Sequence, residues 1–269
     1  MSSARRVLQG GVVLRRAETP DDYRACQAAQ REAWGIVEDG YVIPVATMVG
    51  ANLHGGLVLG AFEPDGKAVA MSFAFLGRVE GRICLYSQLT GVVPGRQSLG
   101  LGREIKLLQR DVARAEGLET VAWAFDPLQS GNARFNLAKL GARVRRYVDD
   151  MYGPRTDALN AGAPTDRVIA EWDVCGDFEP IAAPENAPSL IAIRDGLPVA
   201  VPAPAGAALW LPIPRDVAAL RRERPEAAEA WRKAVRQAMN SAFAAGYEAA
   251  GFLRDAEPRC GYVLQRRAD

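Results

Sequence analysis

Residues 83 to 125 restrict the architecture most: a strand-like run from Ile83 to Thr90, a turn-rich segment from Pro94 to Gly102, an amphipathic helix and a second strand-like run, Thr120 to Phe125. The helix pattern is carried by Leu101, Ile105, Leu108, Val112 and Ala115, at spacings of four and three, and Gly117 closes it. Two strands with a helix between them can lie parallel, because the helix spans the return journey. The fold therefore has to accommodate one parallel pair.

Before this unit the pattern is antiparallel. Leu57 to Phe62, Ala68 to Leu76 and Ile83 to Thr90 are short apolar or alternating runs separated by Pro64-Asp65-Gly66 and Glu80-Gly81, the punctuation of hairpins. Val12 to Arg15 reads as a first strand. Thr19-Pro20-Asp21-Asp22 combines an N-cap, a proline at the first helical position and acids in the first turn. The helix it opens runs to about Trp34, with Asp22, Cys26, Ala29 and Ala33 along one stripe and Gly35 at its end. After Phe125 a second helix spans about Gly131 to Leu140, and Val144 to Tyr147 and Arg167 to Val174 close the sheet. The predicted class is α/β (α+β), with a mixed, mostly antiparallel sheet flanked by helices.

From Phe178 to Pro214 the chain turns rich in Pro and Ala, which places a boundary near residue 180 and predicts two domains, 1–178 and 179–269. Short strands are expected at Leu190 to Ile193 and Ala208 to Leu211. A long helix, Pro225 to Ala245, carries Ala227, Trp231, Ala234, Ala238, Ala242 and Ala245 on one face, and strands follow at Tyr247 to Leu253 and Gly261 to Gln265. This order echoes residues 83 to 125, as in a degenerate half-repeat.

The 33 basic and 32 acidic side chains of the 269 residues nearly cancel, so no global field draws in nucleic acid or an anionic membrane. No signal peptide and no apolar run of membrane-spanning length is visible. Cys26, Cys84, Cys175 and Cys260 are far apart with no CxxC pair, and are expected reduced and mostly buried in a cytoplasmic protein. With His54 the only histidine, multi-histidine metal sites are excluded and no metal is expected.

The turn Gln97-Ser98-Leu99-Gly100-Leu101-Gly102 carries the chemistry. Where a glycine-rich turn opens a helix, successive backbone N–H groups converge on an anion and the helix terminus adds about half a positive charge. Glycine permits the left-handed backbone and leaves no Cβ beside the phosphate oxygens. A tight strand-to-helix turn alone would also use these glycines. A dinucleotide fingerprint and a P-loop both fail, since Arg103 follows Gly102 and the next glycine is Gly117.

The pattern [Q/R]-x-x-G-x-[G/A], after the strand end Val92-Val93-Pro94, resembles that of the GNAT (GCN5-related N-acetyltransferase) superfamily, and the strand order of residues 12 to 174 resembles it as well. Trp123-Ala124-Phe125-Asp126-Pro127-Leu128, Asn132, Tyr152-Gly153-Pro154, Asn160 and Pro164-Thr165-Asp166-Arg167 are similar to one subgroup of predicted acetyltransferases linked with N-acylamino-acid metabolism. The resemblance implies a sheet splayed between its fourth and fifth strands, with acetyl-CoA or another acyl-CoA as cosubstrate. It places the cofactor on Val92, Gln97, Ser98, Leu99, Gly100, Leu101, Gly102, Arg103 and Asn132. The C-terminal part lacks a glycine turn between Leu211 and Pro225, so one cofactor site per chain is expected.

The activity implied is transfer of an acetyl or succinyl group to a primary amine of a small molecule, an amino acid being one candidate, by direct attack on the thioester. An oxyanion would be steadied by a backbone N–H around Gly91 to Val93. The tyrosine that such enzymes often use to protonate the leaving thiolate is Leu137 here, which leaves that role unassigned and motivates an alternative, an inactive acyl-CoA-binding or interaction module. Asp126, Tyr86 and Tyr152 are the candidates for proton transfer, with Tyr147 a further substitute to test, and His54 and Arg167 the candidates for substrate binding. Trp123 and Trp172 read as core, and Arg143, Arg145 and Arg146 as a solvated face. A homodimer is left open.

Overall fold

The computed structural model describes residues 5–153, 164–178, 181, 186–204, 206–254 and 259–267. Pro154 and Asn160 of the similar stretch lie outside them. The chain forms two compact units, Met1–Trp123 and Ala124–Pro154 with Ala163–Asp269.

The first unit contains β1 Arg5–Val7, β2 Val13–Arg16, α1 Pro20–Trp34, α2 Val45–Leu53, β3 Leu57–Phe62, β4 Ala68–Val79, β5 Arg82–Val92, α3 Leu101–Ala115 and β6 Thr120–Phe125. Its strands follow one another in the order β1-β2-β3-β4-β5-β6. All neighbours are antiparallel except β5 and β6, which run parallel as the α3 connection requires.

Helix α1 begins as its sequence dictates. Thr19 Oγ1 accepts from the Asp22 amide at 3.2 Å while Asp22 Oδ2 accepts from the Thr19 amide at 3.1 Å, a reciprocal capping box. The Arg15 guanidinium grips the same carboxylate with two bonds of 2.7 Å and holds it well below the usual carboxylate range. Gly35 ends the helix in the left-handed region at φ 61°.

Helix α2 has no side-chain N-cap bond, and the sequence reading left it unassigned. Tertiary contacts hold it: Asn52 donates to Ala17 O at 2.9 Å and Tyr23 Oη at 2.8 Å, and accepts from the Val58 amide at 3.0 Å.

The helices of this unit cover opposite faces of its sheet. Tyr23, Cys26, Ala29 and Met48 pack with Val58, Met71, Phe73 and Val93, whereas α3 reaches Ser72 and Ser87. Met71 and Ser72 are successive residues of β4 and so point to opposite sides.

The second unit holds α4 Ser130–Ala133, which runs on as a π-helical segment Arg134–Lys139, then β7 Arg143–Val148, β8 Arg167–Asp173, β9 Ile191–Arg194, β10 Leu197–Ala200, β11 Ala208–Pro212, α5 Val217–Glu223, α6 Pro225–Ala244, β12 Tyr247–Arg254 and β13 Cys260–Arg266. Its strands run β8-β7-β12-β13-β11, with β9 and β10 as a separate hairpin. Both β11 and β12 are antiparallel to β13, so they are parallel to each other across it, joined through α5 and α6. The half-repeat order is therefore present. The Asp216 carboxylate caps α5 by accepting from the Ala219 amide at 2.9 Å, which puts a negative charge where an anion would have to sit.

Two expectations change. Arg143 and Arg145 are not a solvated face: they pair with the buried carboxylates of Glu248 and Glu171 at 2.8 to 3.3 Å, as buried carboxylates require. On α6 the buried face includes Arg232, Val235 and Met239 alongside Ala227, Ala234, Ala238 and Ala242. The four cysteines are free, and only Cys175 is exposed.

Candidate active site

The site grows from the end of β5. Antiparallel pairing with β4 persists to Ala70 opposite Val92, and the Val93 amide donates to Val69 O at 3.0 Å. Inward and outward backbone groups alternate along an antiparallel ladder. With Val93 turned toward β4, Gly91 is turned the same way, so Val92 and Thr90 direct their N–H and C=O groups to the opposite edge.

That edge is open. The parallel ladder to β6 consists of Leu85 opposite Val121 and Tyr86 opposite Ala122, and β5 continues for six residues beyond it, to Val92. A register shift lies at the same level. Phe73 pairs with Leu89 but Ala74 pairs with Ser87, leaving Gln88 as a bulge that increases the local twist and turns β5 aside. Backbone groups without a strand partner need another hydrogen-bonding partner. The sheet is thus splayed at the expected pair of strands, numbered β5 and β6 because β1 precedes them.

Beyond Val92 the chain turns through Pro94 and Gly95 into a short 3-10 turn, Gln97–Leu99, and enters α3 through Gly100 at φ 69°. No side chain caps this terminus. Of the amides near it, Leu99 donates to Arg96 O and Arg103 to Gly100 O. Those of Gly100, Leu101 and Gly102 belong to the first turn, which an α-helix leaves without intrahelical partners.

Gly100 and Gly102 are glycine for different reasons. The left-handed φ demands it at Gly100. Gly102 has no such φ, and a Cβ there would meet nothing within 4 Å. Glycine in a helix costs about 1 kcal/mol relative to alanine. A glycine here leaves the amides of the first turn open to an anion. Arg103, 59% exposed, sits beside it.

Gly91 is held from the other side. A Cβ there would strike Cζ3 and Cη2 of Trp34, the last residue of α1, and lie 3.0 Å from Ala33 Cβ. The indole is therefore laid directly on the β5 backbone near the end of the strand.

On the α3 face of the splay lies a polar cluster that the sequence reading missed. Lys106 is 5% exposed. Its Nζ donates to Ser87 Oγ at 3.0 Å and lies 3.8 Å from the Trp123 ring centroid. Gln109, fully buried, donates through Nε2 to Ser72 Oγ at 2.7 Å and Ser87 Oγ at 3.0 Å. Burial alone pulls the lysine down to about 7. The signal in the sequence was the position of Lys106 and Gln109 beside Ile105 and Leu108; the buried face of α3 follows Leu101, Ile105, Leu108 and Ala113, while Val112 is partly buried and Ala115 exposed.

The remaining candidates are placed as follows. Tyr86 stands on β5 with its ring 5.5 Å from that of Phe75. His54 is the exposed C-cap of α2 and donates its backbone N–H to Ala51 O. In the second unit, Asn132 is exposed on α4, and the Arg167 guanidinium stacks on the Tyr152 ring at 5.3 Å. Asp166 is fully buried, accepting from Arg236 at 2.6 and 3.0 Å, from Tyr147 Oη at 2.6 Å and from the Asp150 amide at 3.0 Å. Burial pushes its carboxyl up, but these donors outweigh it and the net direction is down. Trp123 and Trp172 are core residues, 6% and 5% exposed.

Asp126 is engaged by a side chain of its own unit. Its carboxylate accepts from Arg232 at 3.1 and 3.3 Å and from the Leu128 amide at 2.9 Å, and the guanidinium is 5% exposed. A carboxylate bonded to a buried cation and a turn amide has the contacts of a structural anchor.

Among the described residues, no group of three or more His, Cys, Asp or Glu is arranged to hold a metal ion, and no helix is long and apolar enough to cross a membrane. No family model and no curated protein matches the sequence. Among solved structures, the chain is similar to the ribosomal-protein-S18-alanine N-acetyltransferase of Escherichia coli, with 19% identity, 64% of this chain and 96% of that one covered, and a TM-score of 0.46. It is also similar to an N-acetyltransferase of Staphylococcus aureus Mu50, at 13% identity, 61% and 98% coverage and a TM-score of 0.49. A third is a GNAT superfamily phosphinothricin acetyltransferase of Sinorhizobium meliloti in complex with acetyl-CoA, at 14% identity, 60% and 88% coverage and a TM-score of 0.48.

Proposed function

We propose that this chain is a GNAT-type acyltransferase that moves an acyl group from coenzyme A to a primary amine of a small molecule. The observation that carries the reading is the pairing of an open β5 edge, Ser87 to Val92, with an uncapped helix start at Gly100 to Gly102. The first offers main-chain donors and acceptors to the amides of a pantetheine arm, and the second offers a nest of N–H groups to its diphosphate.

Gln97, Ser98, Leu99, Gly100, Leu101, Gly102 and Arg103 would hold the diphosphate, and Val92 the arm. In thioester aminolysis a neutral amine attacks the carbonyl carbon, and the oxyanion is steadied by a main-chain amide. The free edge of β5 offers such amides, since alternate residues between Ser87 and Val92 turn theirs away from β4.

Calorimetric titration with coenzyme A tests the reading. One site per chain is expected, and Gly102→Val should weaken binding at least tenfold without loss of fold. Equal affinity in the two proteins would remove the diphosphate assignment. Binding that persists without release of thiol for any amine would favour the inactive-module alternative.

A further inference from the structure

Breaking a thioester leaves negative charge on sulfur, and that sulfur has to gain a proton before coenzyme A departs as the thiol. Leu137, at the position that the resemblance associates with this proton, is fully buried and carries none. A lysine buried without a carboxylate is costly to keep, and Lys106 is such a residue. Its described partners are one hydroxyl and one indole face, although an ammonium has three donors.

Its depth in the splay matches the depth of the sulfur. A pantetheine arm, with its two amides, spans roughly the length of four to five strand residues at about 3.3 Å each. Counted back along β5 from Val92, that length ends at about Leu89 to Gln88, next to Ser87. The Lys106 ammonium is bonded to the Ser87 hydroxyl, at the residue where the β6 ladder has just ended.

We propose that Lys106 is the acid that delivers a proton to the coenzyme A sulfur as the thioester breaks. The step rests on the acyl-CoA reading of the cleft. The amine nitrogen forms a bond to the carbonyl carbon, the C–S bond breaks with its electron pair on sulfur, and the Lys106 proton goes to that sulfur. The acylated nitrogen sheds its extra proton to solvent, from which Lys106 is recharged, so no net proton is consumed. Transfer is downhill, because a thiol of ordinary pKa, about 8.5, holds a proton more tightly than an ammonium lowered to about 7.

Facing Lys106 are Ser87 of β5, Trp123 of β6 and, through Ser87, Gln109 of its own helix and Thr90 at 3.5 Å. Gln109 extends the network to Ser72 of β4. None of these side chains titrates near neutrality, and the charged neighbours on α3 are Arg103 and Arg110, one turn to either side.

The experiment is the pH dependence of kcat for wild type and Lys106→Met with acetyl-CoA as donor and hydroxylamine as acceptor, beside calorimetric affinity for coenzyme A. In wild type kcat is expected to fall as the pH rises through about 7, where the acid loses its proton. Lys106→Met should lower kcat by about a hundredfold or more, lack that fall, and keep its affinity for coenzyme A. Lys106→Arg, which keeps the charge but gives up no proton, should not restore kcat. A variant profile that keeps the fall of the wild type, or a loss of coenzyme A affinity in step with kcat, would overturn the assignment. Wild type that binds no coenzyme A would instead overturn the functional reading beneath it.

Discussion

The Trp34 indole rests on the main chain of Gly91 so closely that even a methyl group at 91 would penetrate the ring. Gly91→Ala is therefore expected to lose about 1–3 kcal/mol of stability through overpacking, measured by denaturant unfolding. Trp34→Ala should relieve the clash, so that the double variant is more stable than the sum of the single losses. Additive losses would show that the two residues do not press on one another.

Gly100 and Gly102 separate backbone demand from ligand demand. Gly100→Ala forces a side chain into the left-handed region and should cost about 1 kcal/mol or more. Gly102→Ala should be neutral or stabilising by up to about 1 kcal/mol while weakening coenzyme A binding. Thermal melts with and without coenzyme A read both effects at once.

For Asp126 and Arg232 the structure gives an anchor. Removing one partner, as in Asp126→Asn or Arg232→Met, strands a buried group and should cost about 3–5 kcal/mol. If Asp126 were instead the base, Asp126→Asn would abolish turnover while leaving the melting temperature in place.

Lys106 makes a prediction about pH. Its pKa is lowered on folding to about 7, so between about 7 and 10 the unfolded chain binds a proton that the folded one releases. Stability contributed by this residue therefore rises with pH across that window and is at its lowest below it. Lys106→Met should be more stable than wild type by a few kcal/mol near neutrality, the difference shrinking toward pH 10. A constant difference across the window would contradict the lowered pKa.

Much of the first unit could be read from local rules. Thr19, Pro20 and Asp22 fix the start of α1, and the Glu80-Gly81 turn joins two strands whose alternation is plain. The π-helical segment after α4 and the whole of α2 escaped because their stability comes from distant partners, as with Asn52 bonding Ala17, Tyr23 and Val58. The glycine turn was legible because an anion nest needs few residue types. Lys106 was not, since a lysine on a helix ordinarily faces water, and only the packing of α3 against Ser87 and Trp123 shows that this one does not. Arg232 escaped for the same reason, and with it the ion pair that holds Asp126.

Strand β12 meets β7 at Ala249 and Val144, and β13 and β11 extend the sheet beyond it. At the far side the main chain of Pro188 to Leu190 bonds to Trp210 of β11. The polypeptide has thus used its own C-terminal third to fill the rim that β7 would otherwise present to a neighbour. Along β7, backbone-to-backbone annealing with another copy is thus already spent.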